Sequence, residues 1–152
     1  AGSSGLARFD RDVLSRPGAR WLLLLLGIND LGFSAIPGRP ASEKATADDI
    51  IAGYQLLISR ARLHGLSIYG ATLTPFEGVN TYTAAGEQMR QQVNQWIRGS
   101  GQFDAVIDFD AATRDPERPT RLRAEFDSGD HIHPNDAGNK AMAEAVDPRL
   151  FR

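Results

Sequence analysis

Apolar positions change their spacing several times along the chain. Leu6, Phe9, Val13 and Leu14 recur at helical intervals between Arg and Asp residues, and the pattern stops before the turn pair Pro17-Gly18. Trp21 to Leu26 is then apolar without a break. That predicts a strand covered on both faces in a parallel sheet, ended by Gly27-Ile28-Asn29-Asp30. Phe33 to Ala45 is rich in Pro, Gly and Ser and reads as a loop. Thr46, with Asp49 three residues on, resembles a capping box with a shorter acid. The helix it opens carries Ile50, Ile51, Tyr54, Leu57, Ile58 and Ala61 on one face and ends near His64-Gly65, where the glycine suits a left-handed cap. Leu66 to Thr72 predicts a second strand. After a loop over Glu77 to Tyr82, Met89, Val93, Trp96 and Ile97 form the inward face of another helix, which Gly99-Ser100-Gly101 stops. Phe103 to Phe109 predicts a third strand. Ala111 to Gly129 is long, charged and irregular. Pro134 to Val146 reads as a final helix with Ala137, Met142, Ala145 and Val146 inward.

Strands that alternate with helices predict an α/β layer fold around a mainly parallel sheet. A chain of 152 residues matches the prior of roughly 150 per domain, so one domain is expected. Apolar residues at 41% and charged residues at 24% exclude a disordered chain. A net charge of −2 gives no electrostatic footprint for nucleic acid. The absence of cysteine excludes thiolate metal sites and cysteine nucleophiles, yet leaves the compartment open: secreted and periplasmic settings both fit, and no signal peptide is visible in the chain. The apolar run Trp21–Leu26 is far shorter than the ~20 residues a bilayer span requires, so no membrane span is expected.

Two clusters carry candidate chemistry. Gly27-Ile28-Asn29-Asp30 follows the buried strand, and ligand sites in open α/β sheets gather at the carboxyl ends of strands. An Asn there is able to aim its amide N–H at a developing oxyanion. A plain turn also accounts for these four residues. The second cluster is Asp130-His131-Ile132-His133-Pro134. A carboxylate three residues before His133 reaches its Nδ1–H, fixes the tautomer and leaves Nε2 as a general base. Pro134 suits the first position of the following helix, which places His133 at a helix N-terminus, where the dipole favours neutral imidazole. A surface cap with a spare histidine is the bland reading. A metal site built on Asp130, His131 and His133 is a further one, although the strong zinc spacings are absent.

Together the clusters resemble the SGNH hydrolases, the GDSL-type esterase/lipase superfamily. Gly27-x-Asn29-Asp30 is similar to that family's third block and Asp130-x-x-His133-Pro134 to its fifth, and the likeness runs from about Leu6 to Val146. It implies a three-layer flavodoxin-like parallel sheet. It also implies a serine ester hydrolase acting on short acyl esters or acetylated carbohydrates, with no metal or organic cofactor. Under it, Asn29 is an oxyanion-hole donor, His133 the base and Asp130 the carboxylate that orients it. Gly27 and Asp30 support the site loop, His131 is a bystander, and Thr74-Pro75-Phe76 wall the pocket.

The resemblance also has a gap. The family's first block, Gly-Asp-Ser, and its second block, with an oxyanion glycine, have no counterpart here. No serine of this chain stands in a strand-to-turn setting. The expectation is therefore one SGNH-hydrolase-like domain over residues 1–152, truncated at its N-terminus. Its first strand and its nucleophile would lie upstream, and the strand Trp21–Leu26 would have an open edge for that segment or for a second copy. Two other functions stay open: a non-catalytic binding or assembly module that uses this edge, and a metal-dependent hydrolase.

Overall fold

The computed structural model describes residues 3–36 and 38–152. Three parallel strands form its sheet in the order β1 (Trp21–Leu24), β2 (Ser67–Ala71), β3 (Ala105–Ile107). Trp21 lies opposite Ser67 and Leu24 opposite Gly70, while Tyr69 and Ala71 lie opposite Ala105 and Ile107. Side chains alternate across the pleat, so each strand supplies two cores. Leu22, Leu24 and Ile68 face a layer formed by α1 (Gly5–Phe9), α3 (Ala47–Leu63) and α4 (Ala84–Gly99), packed against Phe9, Ile50, Leu57, Val93 and Ile97. Trp21, Tyr69, Ala71 and Ile107 face the opposite layer, with Phe109 of α5 (Phe109–Thr113) and Met142 of α6 (Asp136–Glu144). This is the expected three-layer α/β arrangement. Each fully buried Leu, Ile or Phe contributes roughly 1.5–3 kcal/mol through removal from water.

Local signals account for the long helices. The Thr46 hydroxyl accepts from the Asp49 N–H at 3.1 Å and the Asp49 carboxylate accepts from the Thr46 N–H at 2.8 Å, a reciprocal box at the start of α3. Val93 and Ile97 are buried as expected, and Met89 and Trp96 are partly so.

Several boundaries differ from the sequence reading, each for a physical reason. β1 ends at Leu24, two residues early. Gly27-Ile28-Asn29-Asp30 is not a plain loop, because α2 (Ile28–Ser34) begins inside it. Gly27 takes φ +118° as the residue before that helix, and a Cβ there would come within 3.0 Å of the Tyr54 hydroxyl, which donates to the Leu26 carbonyl. The sharp exit from β1 thus depends on a missing side chain and a buried tyrosine. The Phe33–Ala45 loop begins with the last two residues of α2 and contains the 3₁₀ turn Ala41–Glu43. The third strand is cut to Ala105–Ile107, since the Asp108 carboxylate accepts from the Ala111 N–H at 3.0 Å and starts α5. The last helix starts at Asp136, capped by Asn135, whose side chain accepts from the Gly138 N–H at 3.0 Å. Pro134 therefore precedes the cap, and His133 stands three residues before the first helical residue rather than at the helix end. Met142 and Val146 pack inward, but Ala137 and Ala145 are exposed.

Among the described residues, β1 pairs with β2 alone. Leu23 and Leu25, on the same side of the sheet as Trp21, are 36% and 39% exposed. A largely apolar cavity of about 310 Å³ runs along this strand, lined by Phe9, Val13, Leu22 to Leu26 and Phe109. No helix of the described residues is long and apolar enough to cross a membrane.

Candidate active site

The Asp130–His133 pair is built by a tight turn. Oδ1 of Asp130 accepts from the backbone N–H groups of Ile132 at 3.0 Å and His133 at 2.8 Å and from the Ser128 hydroxyl at 3.1 Å. Oδ2 accepts from Nδ1 of His133 at 2.6 Å. These donors, the His133 N–H foremost, hold the carboxyl well below its usual range. A carboxylate at Nδ1 requires the proton there, so Nε2 is the nitrogen left to exchange one with a reacting group. The His133 side chain is 76% exposed.

An antiparallel bridge between Asp127 and Pro134 closes the loop that carries this pair. The Asn135 side chain donates to the Glu125 and Asp127 carbonyls at 3.0 and 3.1 Å and ties the loop to the start of α6.

Asn29 comes to the same place from the other end of the chain. A crevice of about 210 Å³ at the carboxyl ends of β1 and β2 is lined by Asn29, Ile28, Leu73, Thr74, Ile132 and His133, among others. Asn29 is exposed in the first turn of α2, and Asp30 follows it there. Gly27 and Asp30 also line an adjoining hollow with Ser3 and Ser4. The sheet thus brings Asn29 and the His133 pair to one rim, 104 residues apart in sequence. Of the expected wall, Thr74 lines the crevice. Pro75 and Phe76 do not; Phe76 is buried and packs edge-on against Tyr82 at 5.1 Å.

Leu73, which lines the crevice beside Thr74, is fixed by residues the sequence reading passed over. Asn94 of α4 accepts from the Leu73 N–H at 2.7 Å and donates to its carbonyl at 2.9 Å. Arg90 donates to the same carbonyl at 2.8 Å. Both side chains are fully buried. Arg90 is neutralised by Glu87 at 2.7 Å and Asp110 at 2.7 Å. A buried guanidinium needs such partners, because isolated charge is costly to remove from water. The only advance signal was two polar residues, Arg90 and Asn94, spaced i and i+4 beside an apolar stripe.

His131 is not merely a neighbour of His133. Its Nδ1 bonds Asp127 Oδ2 at 2.6 Å, and its backbone takes φ +68°. The two histidines thus use different carboxylates. Among the described residues, no three His, Asp or Glu side chains are grouped to hold a metal ion, so Asp130, His131 and His133 do not form a shared metal site. Nor does any described serine bond the His133 ring. The Ser34 hydroxyl is spent on the Asp30 and Ala45 carbonyls and that of Ser4 on the Ala7 N–H.

Comparison with known proteins matches residues 1–141 to the GDSL-like lipase/acylhydrolase family. The chain belongs to that family. Comparison with the curated proteins returns no match. Among solved structures, a GDSL-like lipase from Bacteroides thetaiotaomicron aligns with a TM-score of 0.77 at 16% identity, covering 96% of this chain and 68% of that one. A G-D-S-L family protein from Desulfitobacterium hafniense aligns at 0.69 with 17% identity, covering 93% and 70%. An acetylxylan esterase from Geobacillus stearothermophilus aligns at 0.69 with 23% identity, covering 93% and 63%. The chain spans about two thirds of the length of these structures.

Proposed function

We propose that residues 1–152 are the greater part of a single-domain serine ester hydrolase whose nucleophile stands on a segment upstream of this chain. His133 takes the proton of the attacking serine through Nε2 and returns it to the leaving alcohol. Asp130 holds the ring and stabilises the imidazolium that forms between those steps. The Asn29 amide donates to the tetrahedral oxyanion, and Gly27 and Asp30 hold the turn that presents it. The observation that carries this reading is the crevice shared by Asn29 and His133 at the carboxyl rim of the sheet.

The upstream segment pairs with the free edge of β1. Leu23, Leu25 and the apolar cavity beside them support that role, since an unpaired apolar edge exposes both backbone donors and hydrocarbon to water. Substrates are short acyl esters or acetylated carbohydrates; the likeness to an acetylxylan esterase supports the second class. The reaction as read here uses no cofactor. An assembly module that uses the β1 edge is the second reading, favoured by the edge alone.

The test is hydrolysis of p-nitrophenyl acetate by the full-length gene product and by its His133→Ala variant. Turnover by the first and loss of it in the second is expected. Equal rates in the two, or no turnover by a folded wild type on any acyl ester, would overturn the hydrolase. Covalent labelling by a fluorophosphonate probe, followed by peptide mapping, locates the serine.

A further inference from the structure

The β2 side of the crevice is backbone that runs past its strand neighbours. Thr72 extends the ladder by one bond, donating to the Ile107 carbonyl at 3.1 Å. β1 and β3 end at Leu24 and Ile107, so Leu73 and Thr74 lie beyond both. Buried backbone groups must still find partners. Those of Leu73 find them on a side chain. The Asn94 amide accepts from the Leu73 N–H at 2.7 Å and donates to its carbonyl at 2.9 Å, the two-bond exchange that an antiparallel neighbour would make.

Arg90, one turn earlier on α4, donates to the same carbonyl at 2.8 Å. That guanidinium is itself locked. Its Nε and Nη2 reach the two Glu87 oxygens at 2.8 and 2.7 Å, and its Nη1 reaches Asp110 at 2.7 Å. The other Asp110 oxygen accepts from Arg98 at 2.6 Å and from Arg114 at 3.0 Å. Arg90, Asn94 and Asp110 are fully buried, and a buried network whose members are all paired is rigid. Stability asks only that the Leu73 groups be paired; the clamp also fixes where they stand. The Leu73 side chain lies against Gly27, since a Cβ on that glycine would be 3.5 Å from Leu73 Cδ1. One residue further on, half-buried Thr74 lines the crevice with Asn29 and His133.

We infer that Asn94, braced by Arg90, is a positioning residue that fixes the acyl side of the crevice and so limits the length of acyl group accepted. This rests on the ester hydrolase reading. Under it, His133 protonates the leaving alcohol, and His133 is 76% exposed, so the alcohol lies on the open side. With the carbonyl oxygen on Asn29, the acyl chain points to the buried side, where Leu73 and Thr74 stand. A longer chain has to displace this backbone, and the three side-chain bonds on Leu73 oppose that.

The experiment measures binding of two amide analogues, N-(4-nitrophenyl)acetamide and N-(4-nitrophenyl)butanamide, to the full-length protein. Binding is followed by the Thr74 methyl resonance, assigned through its loss in Thr74→Ser. The wild type should bind the acetamide at least ~10-fold more tightly, the discrimination that added methylenes give in a fixed pocket. Asn94→Leu keeps the side-chain volume and loses both bonds to Leu73. It should move the Thr74 resonance and cut the preference to within ~3-fold, as for a pocket that yields to the extra methylenes. Asn94→Asp keeps an acceptor for the Leu73 N–H but no donor for its carbonyl, so the same change at smaller size is expected; it carries the test should the Leu variant not fold. Thr46→Ala removes the α3 cap, weakens the fold away from the crevice lining and should leave the preference unchanged. No binding of either amide, no preference in the wild type, an unchanged preference in a folded Asn94 variant, or an equal change in Thr46→Ala would overturn the proposal. The amides are bound without being cleaved, so this selectivity and the hydrolysis of p-nitrophenyl acetate succeed or fail separately.

Discussion

The chain holds two Asp–His pairs with the same 2.6 Å contact at Nδ1, and they sit in unlike places. His133 with Asp130 is open to solvent on a hydrocarbon-walled crevice that it shares with an amide. Asp127 of the other pair is only 16% exposed, and His131 is pressed over a glycine among arginines. A hydrogen-bonded carboxylate and imidazole do not by themselves make a catalytic base. What distinguishes the pairs is their surroundings: a crevice shared with Asn29, or a recess lined by Glu77, Arg118 and Arg121.

Substitutions sharpen this contrast, starting with the largest effect. In the full-length protein, His133→Ala should cut kcat for an aryl acetate by about 10⁴-fold or more, whereas His131→Gln should retain more than about a tenth of it. Steady-state kinetics on both variants decides the matter, and equal losses would erase the distinction. Asn29→Ala should lower kcat by about 10²–10³-fold, with a smaller change in KM, because its amide acts on charge that develops only in the transition state. The wall of the crevice tests next. Asn94→Leu leaves the buried Leu73 N–H without its acceptor and should destabilise the fold by about 1–3 kcal/mol in denaturant titration, while the Asp127–His131 pair keeps its ring resonances. The smallest effect is expected for Gly78→Ala. Positive φ and the approach to His131 should cost about 1–3 kcal/mol of stability and displace the His131 ring, with the His133 resonances unmoved.

Much of the layer fold was legible in the chain. The stripe from Ile50 to Ala61 and the Thr46–Asp49 cap read correctly, and the apolar run from Trp21 gave a strand two residues shorter than expected, because each signal is local and repeats within a few residues. The Asp130–His133 bond was legible for the same reason: three residues of backbone bring the two groups within reach. Other features were hidden. The start of α2 inside Gly27–Asp30 turned on Tyr54, 27 residues beyond Gly27. The polar pair Arg90 and Asn94 gave no hint that it was buried against Leu73.

The sequence by itself determined the elements, the alternation that makes a parallel sheet, and one carboxylate–imidazole pair, since these depend on neighbours a few residues away. The tertiary structure decided which side chains meet across long stretches of chain. It brought Asn29 and His133 to one crevice, set Asn94 behind Leu73 of its wall, and gave His131 a separate recess over Gly78. Those meetings are fixed by the packing of strands and helices in three dimensions, and no local periodicity encodes them.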